Sequence, residues 1–303
     1  MKKLLALVLS LALVMMGAAT LADGLDLETL RIQFVPTNVE TADAATADFS
    51  AYMSDLLGIP VTVTVATSYN GIVEAMESGT VDVGIMPPAT YAQAREMGVA
   101  QAILSSTLGD YDQETEQPIP GTVVGNFKAE VLVRADSGIE GYEGLAGKTI
   151  ARLGASSASG YIYPAAEMKL LGIDLDAITW VDITSIPSAI LAVVNGQVDA
   201  CFTFEGSRYV FSKVVLDENG NPYDLYEVLK VAKLSDGDIP NDAVAVNPKL
   251  SDATKEAVAN AFLTMAADEK GLAIMQTWGH NGYVPAQEAV YDSIAQYIVL
   301  AAD

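Results

Sequence analysis

Hydrophobic and polar residues alternate along this chain in two rhythms. Residues 30–36 (LRIQFVP), 61–66 (VTVTVA) and 81–86 (VDVGIM) are short apolar or alternating runs with the period of strands. Between them, residues 41–57, 69–77 and 89–97 place apolar side chains at helical spacing, as at Phe49, Met53, Leu56 and Leu57. The succession returns downstream. Strands are expected at 102–107, 129–137, 148–154, 178–183, 198–204 and 243–247, and helices at 160–171, 188–194, 252–268 and 286–301. Residues 109–121, rich in Asp, Gln, Glu and Pro, read as an exposed loop. Strands separated by helices predict an α/β fold with parallel sheets covered on both faces.

One internal echo divides the pattern in two. AMESGTVDVG (75–84) and AVVNGQVDAC (192–201) coincide at Ala75/Ala192, Gly79/Gly196, Val81/Val198 and Asp82/Asp199, an offset of 192 − 75 = 117 residues. Each copy reads as a helix end, a glycine that stops it, and a following strand. Two similar α/β lobes are therefore expected, joined by two chain crossings near residues 127–133 and 232–243. The first lobe takes residues 23–130 and 236–303, the second 131–235.

The N-terminus changes the compartment. Lys2 and Lys3 precede an apolar run over 4–16, and small residues follow up to Ala22. This reads as a cleaved export signal over 1–22, since the run is short for a membrane span. No cysteine lies near the cleavage point to carry a lipid, so a periplasmic or secreted chain is expected. Without residues 1–22 the chain has 14 basic and 39 acidic side chains, a net charge of 14 − 39 = −25. Such a surface argues against nucleic acids and anionic membranes as partners. Any anion site here must make its positive potential without many cations.

Catalytic chemistry finds little support. Cys201 is the only cysteine and His280 the only histidine, which excludes a disulfide and zinc sites built from several His or Cys. Cys201 lies in the apolar run VDACFTF and reads as a buried, inert thiol. DENGNPYD (217–224) resembles a calcium loop but puts Pro222 where that loop needs glycine. It reads instead as a turn at Asn219–Gly220. No cofactor and no enzymatic activity are expected.

Three segments carry candidate binding chemistry. RLGASSASGYIYP (152–164) runs strand, Gly/Ser loop, helix start, and places Ser156, Ser157 and Ser159 at the first turn. The opening amides of a helix lack intrahelical partners and the dipole end is positive, so an anion is favoured there without Lys or Arg. Plain N-capping by serine is the competing reading. SDGDIPNDAVAV (235–246) puts Asp242 at the mouth of a strand. There it either closes an Asx-turn or accepts a hydrogen bond from a ligand that still carries a proton. ATSYNG (66–71) and MPPATY (86–91) bring Tyr69 and Thr90 or Tyr91 near helix starts, as oxyanion donors or as packing residues.

Together these segments resemble the phosphate/phosphite/phosphonate-binding family of ABC transporter solute receptors. That family shows S-T-S-G-[YF]-x-x-P at a helix start, A-V-x-N-G-x-V-D-A, and I-P-x-D before a strand. Here the stretches are Ser157 to Pro164, Ala192 to Ala200 and Ile239 to Asp242. The resemblance covers most of the chain beyond residue 22. It implies the two-lobed type II periplasmic receptor fold, a small phosphorus oxyanion as ligand, and a permease with its ATPase as partner to a monomer. It further implies that Ser157 and Ser159 bind ligand oxygens, that Tyr69 and Thr90 do so from the opposing lobe, and that Asp242 does so from the hinge. Two positions depart from the pattern. Ala158 replaces the threonine of S-T-S, and Ile186 stands where a histidine for the ligand's organic tail is expected. Glu205 is the candidate tail carboxylate. The competing functions are a receptor of the same fold for a sulfonate, thiamine precursor or carboxylate, and a sensor that transports nothing.

Overall fold

The computed structural model describes residues 25–35 and 39–302, and the expected export signal lies outside them. In chain order, β1 (Leu30–Phe34), α1 (Val39–Leu57), β2 (Val61–Val65), α2 (Tyr69–Glu77), β3 (Val83–Met86) and α3 (Pro88–Glu96) come first. β4 (Gln101–Tyr111) and β5 (Pro118–Val124) form a ribbon, and β6 (Asn126–Phe127) leads into β7 (Ala129–Arg134). Then follow β8 (Thr149–Arg152), α4 (Tyr163–Leu170), β9 (Thr179–Asp182), α5 (Ile186–Val194), β10 (Ala200–Phe204), α6 (Ser207–Val210), α7 (Leu225–Val228) and β11 (Leu229–Leu234). β12 (Ile239–Pro240) returns the chain to β13 (Ala243–Val246), α8 (Asp252–Ala267), α9 (Glu269–Met275), β14 (Gly282–Pro285) and α10 (Asp292–Ala302).

These strands build two separate sheets. One has the order β14-β4-β13-β3-β1-β2 with β5 on the far part of β4; the other is β11-β7-β10-β8-β9. The two echoed segments fall one in each, in β3 and β10. Between the sheets, β6 and β12 pair antiparallel, Phe127 opposite Ile239 and Asn126 opposite Pro240, where the chain crosses in both directions. The fold is thus the expected pair of α/β lobes on a two-crossing hinge.

The echo has a structural cause. Gly79 and Gly196 end their helices at φ 70° and 67°, a left-handed conformation that glycine adopts without penalty. Asp82 then accepts the Arg31 amide of β1 at 2.9 Å, and Asp199 accepts the Thr149 amide of β8 at 2.8 Å. Each aspartate ties the incoming strand to the first strand of its own parallel set.

The sheets are mixed, which corrects the expectation of parallel ones. β2-β1-β3 and β9-β8-β10 are parallel, but β13 runs against β3, and β7 against β10. These two strands, β13 and β7, are the ones that enter from the hinge. Ala243 pairs with Met86 and Ala129 with Phe204, so each begins where a parallel strand ends and runs away from the hinge. Strands β5, β6, β11, β12 and β14 lie outside the expected set. β11 is an edge strand whose Lys230 and Lys233 suit an unpaired side, and β14 is only four residues long. The C-terminal helices also break differently: Asp268 caps α9 through the Gly271 amide, and residues 288–291 form a 3₁₀ turn before α10.

Packing holds the hinge from behind. Tyr297 of α10 stacks on Tyr163 of α4 with centroids 3.9 Å apart. Buried Glu167 accepts from the amides of Asp236 and Gly237 and from the phenols of Tyr142 and Tyr297. The first lobe's core stacks Trp278 against Phe34 and Phe49, at 5.4 and 4.7 Å between ring centres. Cys201 is buried in the second lobe, and burial pushes its thiol up, away from thiolate chemistry.

The segment 109–121 is largely exposed as expected, but it is a ribbon docked at its tip and not a loop. β4 continues through Tyr111, and the tip reaches the second lobe. Glu116 is 1 % exposed and pairs with Arg208 Nε at 2.7 Å, while Tyr226 donates to its backbone carbonyl. Glu116 holds φ 53°, a strained value for a residue with a side chain, and the buried ion pair is what maintains it. Tyr111 lies over Gly206, where a Cβ would meet the ring at 2.7 Å. The polar composition thus reflects partners across the cleft as well as water.

Candidate binding cleft

A cavity of about 790 Å³ lies between the sheets. Its wall contains Pro87 and Pro88 after β3, Leu153 and Gly154 after β8, Asp182 closing β9, Phe204 and Glu205 at the end of β10, and Asp242 before β13. Ligand sites in open α/β sheets form outside the carboxyl ends of parallel strands, because the loops that leave those ends converge there.

At one end of the cavity hydroxyls and helix-opening amides gather. Helix α4 is preceded by a π turn, Ala158–Ile162, with Ser157 as its N-cap. The Ser157 hydroxyl oxygen accepts from the Gly160 amide at 3.1 Å. Its proton therefore remains free to donate, and both Ser157 and Ser159 line the cavity. The amides of Ala158 and Ser159 open the turn and have no acceptor upstream in it. Gly160 makes this geometry possible. A Cβ there would lie 2.7 Å from Leu153 Cβ and 2.8 Å from Ser157 Oγ.

Tyr69, the first residue of α2, faces this turn from the other lobe. Burial raises its phenol pKa, and the negative charge of Asp242 adds to the rise. The Ser157 hydroxyl, within hydrogen-bonding reach, pulls the other way. Three elements from both sides of the cleft thus meet at one point. Asp242 itself is a quarter exposed, and His280 Nε2 lies 3.2 Å from its Oδ2.

The other end is apolar with acidic groups. Ile186, Phe204, Val210, Phe211 and Val214 form the wall. Glu205 accepts from the Lys128 amide at 3.3 Å. Burial raises its carboxyl pKa, and the nearby Asp110 raises it further, against the pull of the Lys128 amide, Gln113 and the Lys128 charge. Among the described residues Lys128 is the one basic side chain on the wall, apart from His280, and it pairs with Asp238 at 2.8 Å. Asp110, Asp182, Glu205, Asp238 and Asp242 are carboxylates on the same wall. The unpaired donors on this wall are therefore amides and hydroxyls rather than cations.

Residues 32–291 match the family described as the periplasmic substrate-binding protein of phosphonate ABC transporters. The chain belongs to this family. As a substrate-binding protein of an ABC importer it works outside the cytoplasm and serves a membrane permease with its ATPase. A phosphate-import protein, PhnD, of Mycolicibacterium smegmatis is 26 % identical over 296 residues, covering 91 % of this chain and 86 % of that protein. Among solved structures, the binding component of an ABC phosphonate transporter from Pseudomonas aeruginosa superposes with a TM-score of 0.72 at 18 % identity, covering 91 % of this chain and 87 % of the other. PhnD1 of Prochlorococcus marinus in complex with methylphosphonate gives 0.69 at 14 % identity, with 89 % and 97 % covered. These two likenesses establish the type II periplasmic receptor fold.

For this phosphonate-family receptor, the cleft assembles Tyr69, Ser157, Ser159, Glu205 and Asp242 on one cavity wall. Three expected positions stand elsewhere. Tyr91 donates from its hydroxyl to the Glu288 carboxylate at 2.7 Å and accepts from the Ala102 amide at 3.0 Å, so it is a buried brace and not a cleft donor. Ser156 turns to the opposite side of its loop, where a second cavity of about 480 Å³ lies between α3 and α10. Thr90 is buried off the main cavity wall, and its hydroxyl has no partner in the described structure. The cleft also uses residues that the sequence did not single out as ligand contacts: His280, Asp110, Gln113 and Lys128. A unique histidine between two glycine-flanked positions, GHNG, was the available signal for His280.

Proposed function

We propose that the cleft captures a phosphonate, or a closely related phosphorus oxyanion, by its oxygens at Ser157, Ser159, Tyr69 and the amides of the π turn. The observation that carries this reading is the free hydroxyl protons and opening amides of that turn facing a phenol from the other lobe. Asp242 accepts a hydrogen bond from a ligand group that retains a proton. The apolar wall at Ile186, Phe204 and Phe211 receives an organic tail. Glu205 and Asp110, which form no ion pair among the described residues, favour an amine at its end. In this reading the exported form begins after Ala22, carries no lipid, and acts as a monomer with lobes at 23–130 plus 236–303 and 131–235.

A thermal-shift panel tests the proposal. The probes are phosphate, phosphite, methylphosphonate, 2-aminoethylphosphonate, taurine, sulfate and a thiamine precursor. A ligand held at about a hundred times its Kd stabilises the folded form by about 2.7 kcal/mol. The largest rise is expected for the aminoalkylphosphonate, with none for sulfate. A rise for taurine or the thiamine precursor alone replaces the oxyanion assignment with another ligand of the same fold.

A further inference from the structure

His280 sits beneath Asp242 with 1 % of its side chain exposed. Its Nδ1 lies 3.1 Å from Trp278 Nε1 and 3.1 Å from the Tyr283 hydroxyl. An indole N–H can only donate, so Nδ1 must be the acceptor in that contact. The ring proton is then on Nε2, which points at Asp242 Oδ2 from 3.2 Å. Trp278 cannot turn away to accommodate another tautomer, because Phe34 and Phe49 pack against its ring. The chain Trp278–His280–Asp242 therefore has one direction of donation, running toward the cleft.

This arrangement has a chemical consequence for Asp242. A lysine or arginine partner would orient the carboxylate and also cancel its charge. A neutral imidazole orients it and leaves the charge in place. Oδ2 is occupied by the His280 N–H, while Oδ1 has no partner among the described residues, and the carboxylate is open to the cavity. Oδ1 can only accept. A ligand atom opposite it must donate, through a P–O–H or an N–H, and a bare oxyanion oxygen meets uncompensated negative charge.

We propose that His280, held as the Nε2–H tautomer by Trp278, is a positioning residue that makes Asp242 an obligate acceptor, so that the cleft takes singly ionised oxyanions and refuses fully ionised ones. The proposal rests on the oxyanion reading of the cleft. The groups facing this pair do not titrate in competition with it. Burial, with the field of Asp242 added, holds the phenols of Tyr69, Tyr283 and Tyr291 above their ordinary value. No lysine or arginine pairs with Asp242 from any packed element among the described residues.

Two measurements test it, on tag-free protein so that His280 is the only histidine present. In the first, nitrogen-15 histidine labelling of the ligand-free protein yields one ring to observe. An unprotonated Nδ1 and a protonated Nε2 are expected at about neutral pH. A protonated Nδ1 overturns the proposal. Trp278→Phe keeps a packing ring but removes the indole donor, and it should make the two tautomers exchange.

In the second, calorimetry follows methylphosphonate, phosphite and phosphate from about pH 5.5 to about pH 8.5, on either side of their second ionisation. Wild-type affinity for methylphosphonate and phosphite should fall roughly tenfold or more as their last acidic proton is lost, whereas phosphate, whose dianion keeps a P–O–H, should escape that fall. His280→Leu and Trp278→Phe should flatten that fall to about threefold or less, and His280→Gln, whose amide can donate to Asp242 and accept from Trp278, should restore it. A pH profile unchanged in both His280→Leu and Trp278→Phe sinks the role of His280 and leaves the oxyanion reading intact. Failure of the wild type to bind any of the three probes sinks both.

Discussion

Replacing Glu130 by glutamine should remove one specific dependence of stability on pH. Glu130 lies on β7, fully buried, and its Oε1 accepts from the Ser207 hydroxyl at 3.0 Å. Its Oε2 and the Oε1 of Glu116 are both buried without a donor, while Glu116 Oε2 pairs with Arg208. Two such oxygens side by side are satisfied by one proton between them. Burial first, and the adjoining Glu116 second, raise the Glu130 carboxyl pKa well above its ordinary 4.5, against the smaller pull of Arg208 and Ser207. The folded chain thus keeps a proton that the unfolded chain releases above pH 4.5. The stabilisation is complete below that pH and drains away as pH rises through the folded value. One proton of difference corresponds to a slope of about 1.4 kcal/mol per pH unit, or about 2–4 °C in Tm for a chain of this size. In the Glu130→Gln variant the new side-chain amide can donate to Glu116 and accept from Ser207 with no proton to lose. Melting curves of both proteins from about pH 5 upward should therefore diverge by that amount per unit over the first units, the variant gaining on the wild type as pH rises. Parallel curves would falsify the shared-proton account.

Three further outcomes follow from the cleft. Ser157→Ala with Ser159→Ala should weaken ligand binding roughly a hundredfold in calorimetry, because each hydrogen bond to a charged group is worth about 1.5–3 kcal/mol. Affinity equal to wild type would leave these serines as helix caps only. Gly160→Ala should lower Tm, at a cost of about 1–3 kcal/mol, and displace Ser157 Oγ from the cavity, since its Cβ meets Leu153 and Ser157 at 2.7 and 2.8 Å; a variant that melts and binds like wild type contradicts the packing. Asp242→Asn, whose amide can also donate, should tolerate sulfate and flatten the pH profile of methylphosphonate binding, and retained sulfate rejection would show that Asp242 is a turn residue.

Much of this molecule was legible in its order of residues. Strand and helix periodicity marked most elements, because amphipathic burial leaves its period in the chain whatever the final topology. The repeated Gly and Asp of the echoed segments foretold two lobes, since a left-handed cap and a strand-tying carboxylate are local devices that each lobe needs once. The Ser/Gly loop before Tyr163 foretold a turn with open amides for a similar reason: helix-opening amides are created by the turn itself.

What folding alone decided are the relations between distant segments. Ser156 and Ser157 are neighbours in sequence, yet the π turn and the contact of Gly160 with Leu153 send one to the cleft and the other to the opposite side. Tyr91 sits within a motif of the expected kind, but Glu288 from the far end of the chain engages its hydroxyl. Asp242 and His280 are 38 positions apart, and Glu116 and Arg208 are 92 apart. Hydrophobic period specifies which face of an element is buried, not which element lies against it. The hinge crossings determine that second relation by starting β7 and β13 at the cleft and running them against their neighbours. They thereby set which polar groups meet across the cleft.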